Sequence, residues 1–234
     1  MEEKTVQIND IEVNYKITGE GQPILILHGW GSSSDSWTRI QQMLAGKGFQ
    51  VIVPDLPGFG KTQAPPSPKA SEGQGPKDVW GVEEYANFVN QLMGQLGLAK
   101  FVLAGHSFGG QTAIQFVVQH PEKIEKLVLI AAAGVRRTPG VFKKLVMAVA
   151  KLVSFLLYLV PFEDLRNNIK NAMYMAIRRP NYMKTQGIMR DVFKKVITQD
   201  LTVKFSKISA PTLLIWGDKD EMTPIQDAYL THEL

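Results

Sequence analysis

Between a short apolar run, Phe101 to Ala104, and a helical pattern from Phe108 to Gln119, the chain reads Gly105-His106-Ser107-Phe108-Gly109. A buried strand that turns into a helix within one or two residues needs glycine where the two backbones pass. Gly105 and Gly109 stand at those points. That places Ser107 at the apex, with its hydroxyl above the sheet and its backbone expected in a strained conformation. The helix N-terminus beneath it favours developing negative charge. Ser107 is therefore the candidate nucleophile, and His106 belongs to the turn.

Four further apolar runs resemble the one that leads into Ser107: Pro23 to Leu27, Val51 to Val53, Leu127 to Ala133 and Leu213 to Trp216. Short continuous runs ending in glycine or turn residues read as strands buried on both faces of a parallel sheet. Helical patterns at Trp37 to Leu44, Val82 to Leu96, Phe108 to Gln119 and Ile225 to Leu234 lie between or after them. The alternation predicts an α/β fold with helices on both sheet faces. Val6 to Tyr15 instead alternates apolar and polar residues around Asn9-Asp10, which predicts a hairpin with one wet face.

Two stretches break the order. Gln63 to Asp78, rich in Pro, Gly, Ser and Lys, reads as a long exposed loop. Residues 136–207 contain only helical patterns and are too long for a crossover, so they read as a helical cap inserted into a core of residues 1–135 and 208–234. The net charge of +4 hides an asymmetry: the cap carries +11 and the rest of the chain −7. Such a field favours anionic partners, although a charge run is commonly a solvated face. Val141 to Phe162 is the most apolar segment, but lysines interrupt it and Pro161 ends it. It reads as an amphipathic cap helix lining the site, with docking to a membrane surface as the alternative, and not as a transmembrane span.

Cysteine is absent, which excludes thiolate nucleophiles, disulfides and Cys-based metal sites. Met1-Glu2-Glu3-Lys4 lacks the basic flank and apolar stretch of a secretory signal, so a cytoplasmic location is expected. His28-Gly29-Trp30-Gly31 follows the Pro23 to Leu27 run and can aim a backbone N–H into a cleft. The N–H groups of Trp30 and Phe108 are the expected oxyanion hole, such donors being worth about 2.7–4 kcal/mol each in a transition state.

Four motifs in order carry a family resemblance: His28-Gly29-Trp30-Gly31, Pro54-Asp55-Leu56-Pro57-Gly58-Phe59-Gly60, Gly105-His106-Ser107-Phe108-Gly109-Gly110, and Pro211 through Asp220 (PTLLIWGDKD). Together they resemble the α/β-hydrolase superfamily, in its branch with an inserted helical cap, over essentially the whole chain outside the cap and the Gln63 to Asp78 loop. In that pattern the catalytic acid stands three residues after the glycine that ends the seventh strand. This implies Asp220 after Gly217, with Asp218 and Glu221 as neighbouring carboxylates. The acid would orient an imidazole and stabilise its cation.

The order of the triad in this family is Ser, acid, His. His28 and His106 are taken up in motif turns, His120 precedes Pro121, and His232 lies in what reads as the helix after the seventh strand. The general base is therefore expected beyond Leu234, on a last strand and helix that the sequence does not contain, and residues 1–234 are expected to turn over little. The resemblance implies a serine hydrolase acting on carboxylic esters through an acyl-enzyme on Ser107, with no metal or organic cofactor. Its substrate would be a small-molecule ester, with an apolar acyl group as one option. His-Gly-Trp-Gly is similar to esterases that cleave pimeloyl-[acyl-carrier protein] methyl ester, and a basic cap would suit an acidic carrier protein or an anionic surface; no nucleic-acid partner is expected. The elbow is also similar to carbon–carbon bond hydrolases of aromatic degradation. A non-catalytic ligand-binding protein on the same fold is the third reading.

Overall fold

A computed structural model describes residues 1–66, 79–136 and 187–234. Its seven strands are β1 (Glu2–Ile8), β2 (Ile11–Thr18), β3 (Gln22–Leu27), β4 (Phe49–Pro54), β5 (Phe101–His106), β6 (Ile124–Ile130) and β7 (Thr212–Ile215). They form one sheet in the order β1-β2-β4-β3-β5-β6-β7. From β4 to β7 all neighbours run parallel, while β2 pairs antiparallel with both β1 and β4. The helices are α1 (Thr38–Ala45), α2 (Val82–Gln95), α3 (Phe108–Gln119), α4 (Ile188–Thr198), the single turn α5 (Thr202–Phe205) and α6 (Ile225–Glu233).

Each apolar run of the sequence coincides with a strand, but the Leu127 to Ala133 run outlasts β6 by three alanines and the Leu213 to Trp216 run outlasts β7 by one residue. β3 and β4 become fully buried over their last four residues, and β5 is buried up to His106. One face of these strands, with Leu25, Leu27, Ile52 and Leu103, joins a large core under α2 and α3; the other, with Ile24, Ile26, Val53 and Ala104, packs with Trp37 and Leu44 at α1. The outer strands depart from the expected burial. β6 alternates, with Leu127 and Leu129 inside and Lys126 exposed, and β7 leaves Leu213 and Ile215 56% and 46% exposed. Only the face of β7 that carries Leu214 packs on the core.

The hairpin closes at Asn9-Asp10, with Asn9 at φ 50° and Ile8 opposite Ile11. Its expected wet face survives on β1 but not on β2, where Asn14 and Lys16 are buried. Both find partners there: the Asn14 amide donates to the Asp55 carboxylate, and the Lys16 ammonium pairs with Asp35. β2 is an inner strand, and polar groups can be covered when they are paired.

The chain divides into one compact unit of residues 1–136 with 187–234 and a second of residues 137–186. All described residues belong to the first. The expected cap, 136–207, is thus cut at 186, and its helix Val141 to Phe162 lies outside the described residues, as does 67–78 of the expected loop. α4 and α5 instead pack on the body, because Val192 and Val196 are buried there. Gln111 donates to the Val196 carbonyl at 3.1 Å, Gln199 accepts from Val82 N–H at 2.8 Å, and Leu201 N–H donates to Gly134 O at 2.8 Å. Two of the basic residues counted in the cap are engaged locally, Lys194 with Asp191 and Lys195 with Glu84.

Candidate active site

In a parallel sheet with helices on both faces, ligands sit outside the carboxyl ends of the strands. The turns that leave β3, β4, β5 and β7 hold the candidate residues. At the end of β5, Ser107 adopts φ 50°, ψ −112°, a conformation that costs a non-glycine residue about 1–3 kcal/mol. It is held by its own backbone. Ser107 N–H donates to Ile130 O at 3.1 Å, and its carbonyl accepts from Gln111 N–H and Ala133 N–H, each at 3.0 Å.

The neighbouring glycines are steric requirements. A Cβ on Gly105 would lie 2.4 Å from Gly109 O, and one on Gly109 would lie 2.2 Å from Leu27 O. Strand, elbow and the end of β3 therefore touch through backbone alone. The turn after β3 sits against the elbow as well: a Cβ on Gly29 would be 2.7 Å from His106 Nδ1 and 3.4 Å from Ser107 Cβ. Gly31 follows at φ 72°, a conformation glycine takes without strain.

The N–H groups of Trp30 and Phe108 donate no hydrogen bond to another described residue. That of Phe108 is the first of α3, where helical geometry supplies no partner. Two donors, one on each turn, are thus without a partner among the described residues.

His28 is fully buried directly after β3. Its Nε2 accepts from Leu56 N–H at 2.9 Å, so its proton resides on Nδ1, which donates to Gly29 O at 2.8 Å. Burial pulls its pKa below the ordinary histidine value, in keeping with a neutral ring. It ties the turn after β3 to the loop after β4. Asp55 completes that tie, accepting from Ser34 N–H at 2.6 Å, Lys61 N–H at 2.9 Å and the Asn14 amide at 3.0 Å. In the sequence Asp55 stands out only as part of a motif. A lone carboxylate at the very end of a buried strand is the signal that marks it as an organiser of loops.

Asp220 follows β7. Its carboxylate accepts from Met222 N–H at 2.8 Å, Thr223 N–H at 2.9 Å and Thr223 Oγ1 at 3.1 Å. Asp220 is half-buried, whereas Asp218 and Glu221 are exposed. Its charge reaches His106, raising the pKa of that half-buried imidazole against a larger downward push from burial.

No histidine bridges Ser107 and Asp220. His106 packs beside Trp37 at 6.4 Å, His120 stacks on Phe116 at 5.1 Å, and His232 lies on α6 beside Phe205, Ile208 and Leu214. The structure therefore brings together Ser107, the two N–H groups without a partner among the described residues and the His28 turn, and puts none of the four histidines in a hydrogen bond with Ser107 or Asp220. Among the described residues no cluster of three or more His, Asp or Glu could hold a metal, and no helix is long and apolar enough to cross a membrane.

A sequence-family model described as the alpha/beta hydrolase fold matches residues 22–234. A 2-hydroxy-6-oxo-6-phenylhexa-2,4-dienoate hydrolase from Comamonas testosteroni is 28% identical, over 93% of this chain and 78% of its own length. Lipase 3 from a Moraxella species is 26% identical, over 94% of this chain and 69% of its own. Among solved structures, a membrane phospholipase A described as a bacterial virulence factor superposes with a TM-score of 0.69 at 26% identity, covering 99% of this chain and 74% of that one.

Proposed function

Because the chain belongs to the α/β hydrolase family, we propose that it is a serine hydrolase of carboxylic esters with Ser107 as its nucleophile. The observation that carries this reading is the Ser107 backbone at φ 50°, at the carboxyl end of β5 beside two N–H groups that have no partner among the described residues. A strained residue with that surrounding is maintained only where neighbours over-determine it.

In this reading Ser107 Oγ attacks the acyl carbon while its proton passes to an imidazole. The oxyanion takes hydrogen bonds from Trp30 N–H and Phe108 N–H. Collapse breaks the C–O bond, and the leaving alkoxide receives the proton back from the imidazolium. Water repeats the sequence on the acyl-enzyme and releases the acid. Asp220 orients the imidazole and stabilises its cation. Lipase 3 supports the ester class by its name.

Since none of His28, His106, His120 and His232 bridges Ser107 and Asp220, the experiment supplies the base. Imidazole added to the 234-residue protein should raise p-nitrophenyl butyrate hydrolysis in a saturable way, above the reaction of imidazole alone. Ser107→Ala should lose that protein-dependent part, about 10³-fold or more. Equal imidazole-supported rates in Ser107→Ala would overturn the assignment.

The dienoate hydrolase relative favours a second reading, cleavage of a carbon–carbon bond. A 2-hydroxy-6-oxo-dienoate consumed faster than the ester, with Ser107 still required, would select it.

A further inference from the structure

The two N–H groups of the proposed oxyanion hole belong to residues 78 positions apart, and among the described residues no hydrogen bond links the Gly29–Gly31 turn to the elbow. Their side chains do meet. The Trp30 and Phe108 rings pack edge to face, with centroids 5.3 Å apart at 72°. Phe59, from the loop after β4, touches both, at 4.9 Å from Trp30 and 6.1 Å from Phe108. Phe193, on α4, touches Trp30 from another side at 4.9 Å and 55°.

Resting on the hydrolase reading, we infer that Phe59 and Phe193 are positioning residues: they clamp the Trp30 and Phe108 rings and thereby set the two oxyanion donors relative to each other.

The clamp is itself anchored. Phe59 also packs edge to face on His28 at 5.6 Å, and its N–H donates to Leu56 O at 2.9 Å. Tyr85 meets Phe108 at 4.9 Å and 89°, and its hydroxyl donates to Pro57 O at 2.8 Å, two residues before Phe59. α4 presses on the same loop: a Cβ on Gly58, at φ 90°, would lie 2.3 Å from Met189 Sδ. Phe193 is thus carried by a helix fastened to the body at Val192, Val196 and Gln199.

Packed aromatic rings, edge to face for Phe59 on Trp30 and tilted for Phe193 on Trp30, hold direction as well as distance. Direction is what an oxyanion hole needs, because donors act at about 2.7–3.1 Å from the oxyanion. A misplacement of about 1 Å can cost 10²-fold in rate. Trp30 and Phe193 are half-buried while Phe59 and Phe108 lie in the core. Phe193 is the less buried of the two positioning rings, and it is the residue to test.

In the imidazole-supported assay, Phe193→Ala should lower kcat about tenfold with KM within about twofold, a smaller effect than removal of a whole donor. The factor should be the same for acetate, butyrate and octanoate esters. The rate advantage of an oxygen ester over its thionoester should shrink, since the hole is built for oxygen. Phe193→Tyr, which keeps the ring, should restore kcat. If Phe193→Ala does not fold, Phe193→Leu, with similar volume and no ring edge, carries the same comparison. An effect that appears in KM and grows with acyl length would make Phe193 a substrate wall and overturn the inference, as would an unchanged kcat. Loss of the Ser107 requirement would instead sink the hydrolase reading itself.

Discussion

The turns after β3 and β5 and the turn after β7 carry the groups of one proposed site, yet they are held in unlike ways. The first two are fixed by contact between backbones and by edge-to-face and tilted ring packing, in a part of the sheet covered on both faces. The third is fixed by hydrogen bonds that Asp220 makes within three residues of itself, at the end of a strand whose Leu213 and Ile215 are exposed. Apart from Asn9 in the hairpin turn, the described non-glycine residues with positive φ are Ser107 and Ala131, at φ 50° and 43°, directly after the carboxyl ends of the paired strands β5 and β6, and no residue of the Asp220 turn has a positive φ. A nucleophile that must stay aimed needs the first kind of support; an acid that orients a partner works from the second.

The sharpest break of this comparison is one methyl group placed in the covered region. Gly109→Ala sets a Cβ 2.2 Å from Leu27 O and 2.6 Å from His28 O, where no side chain can give way. Overpacking against backbone should cost about 3 kcal/mol or more, read as a fall in the urea midpoint. A loss under about 1 kcal/mol would show that strand, elbow and oxyanion turn are not locked to one another.

A smaller effect should come from His28→Gln, which keeps an acceptor for Leu56 N–H and removes the titrating ring. The lost bond to Gly29 O should cost about 1 kcal/mol at neutral pH. The pH dependence is more specific. Burial holds the folded-state pKa of His28 below its unfolded value of about 6.5. Between those two values the unfolded chain binds a proton that the folded chain does not, so stability is complete above about pH 6.5 and declines as pH falls toward the folded pKa. The variant should lose part of that acid slope; His106 and His120, whose pKa values burial also lowers, contribute to what remains. An identical slope in the variant would show that the ring is not held neutral in the folded protein.

How far the sequence reveals this difference depends on which interactions a pattern can encode. The elbow is legible because sterics permit few residues there: Gly105 and Gly109 by themselves announce a backbone crossing. The five apolar runs coincide with strands for the same kind of reason. The clamp was not legible. Phe59, Phe108 and Phe193 are apolar residues in ordinary patterns, and only the fold brings rings from the loop after β4, the start of α3 and α4 onto Trp30. Burial on β2 was likewise hidden, since Asn14 and Lys16 look wet until Asp55 and Asp35 are placed beside them. The division at 136 and 186 was half legible: α4 has a helical pattern like that of a cap, but the partners of Gln199 and Val192 that tie it to the body are distant in sequence.

The smallest effect is expected from the same methyl group at the other end of the sheet. Gly217 follows β7 with an ordinary φ, and among the described residues a Cβ there would meet only Asp220 Cβ at 4.0 Å, an unstrained van der Waals distance. Gly217→Ala should change stability by no more than about 0.5 kcal/mol, because it fills open space and breaks no hydrogen bond. Any gain would come from the unfolded chain, which has fewer conformations to lose. The imidazole-supported rate should also stay within about twofold, because the Asp220 carboxylate is held from its C-terminal side by Met222 and Thr223. A loss comparable to that of Gly109→Ala would mean that the Asp220 turn is pressed against something the described residues do not supply. The two ends of the sheet would then be equally confined, and the contrast between them would fall.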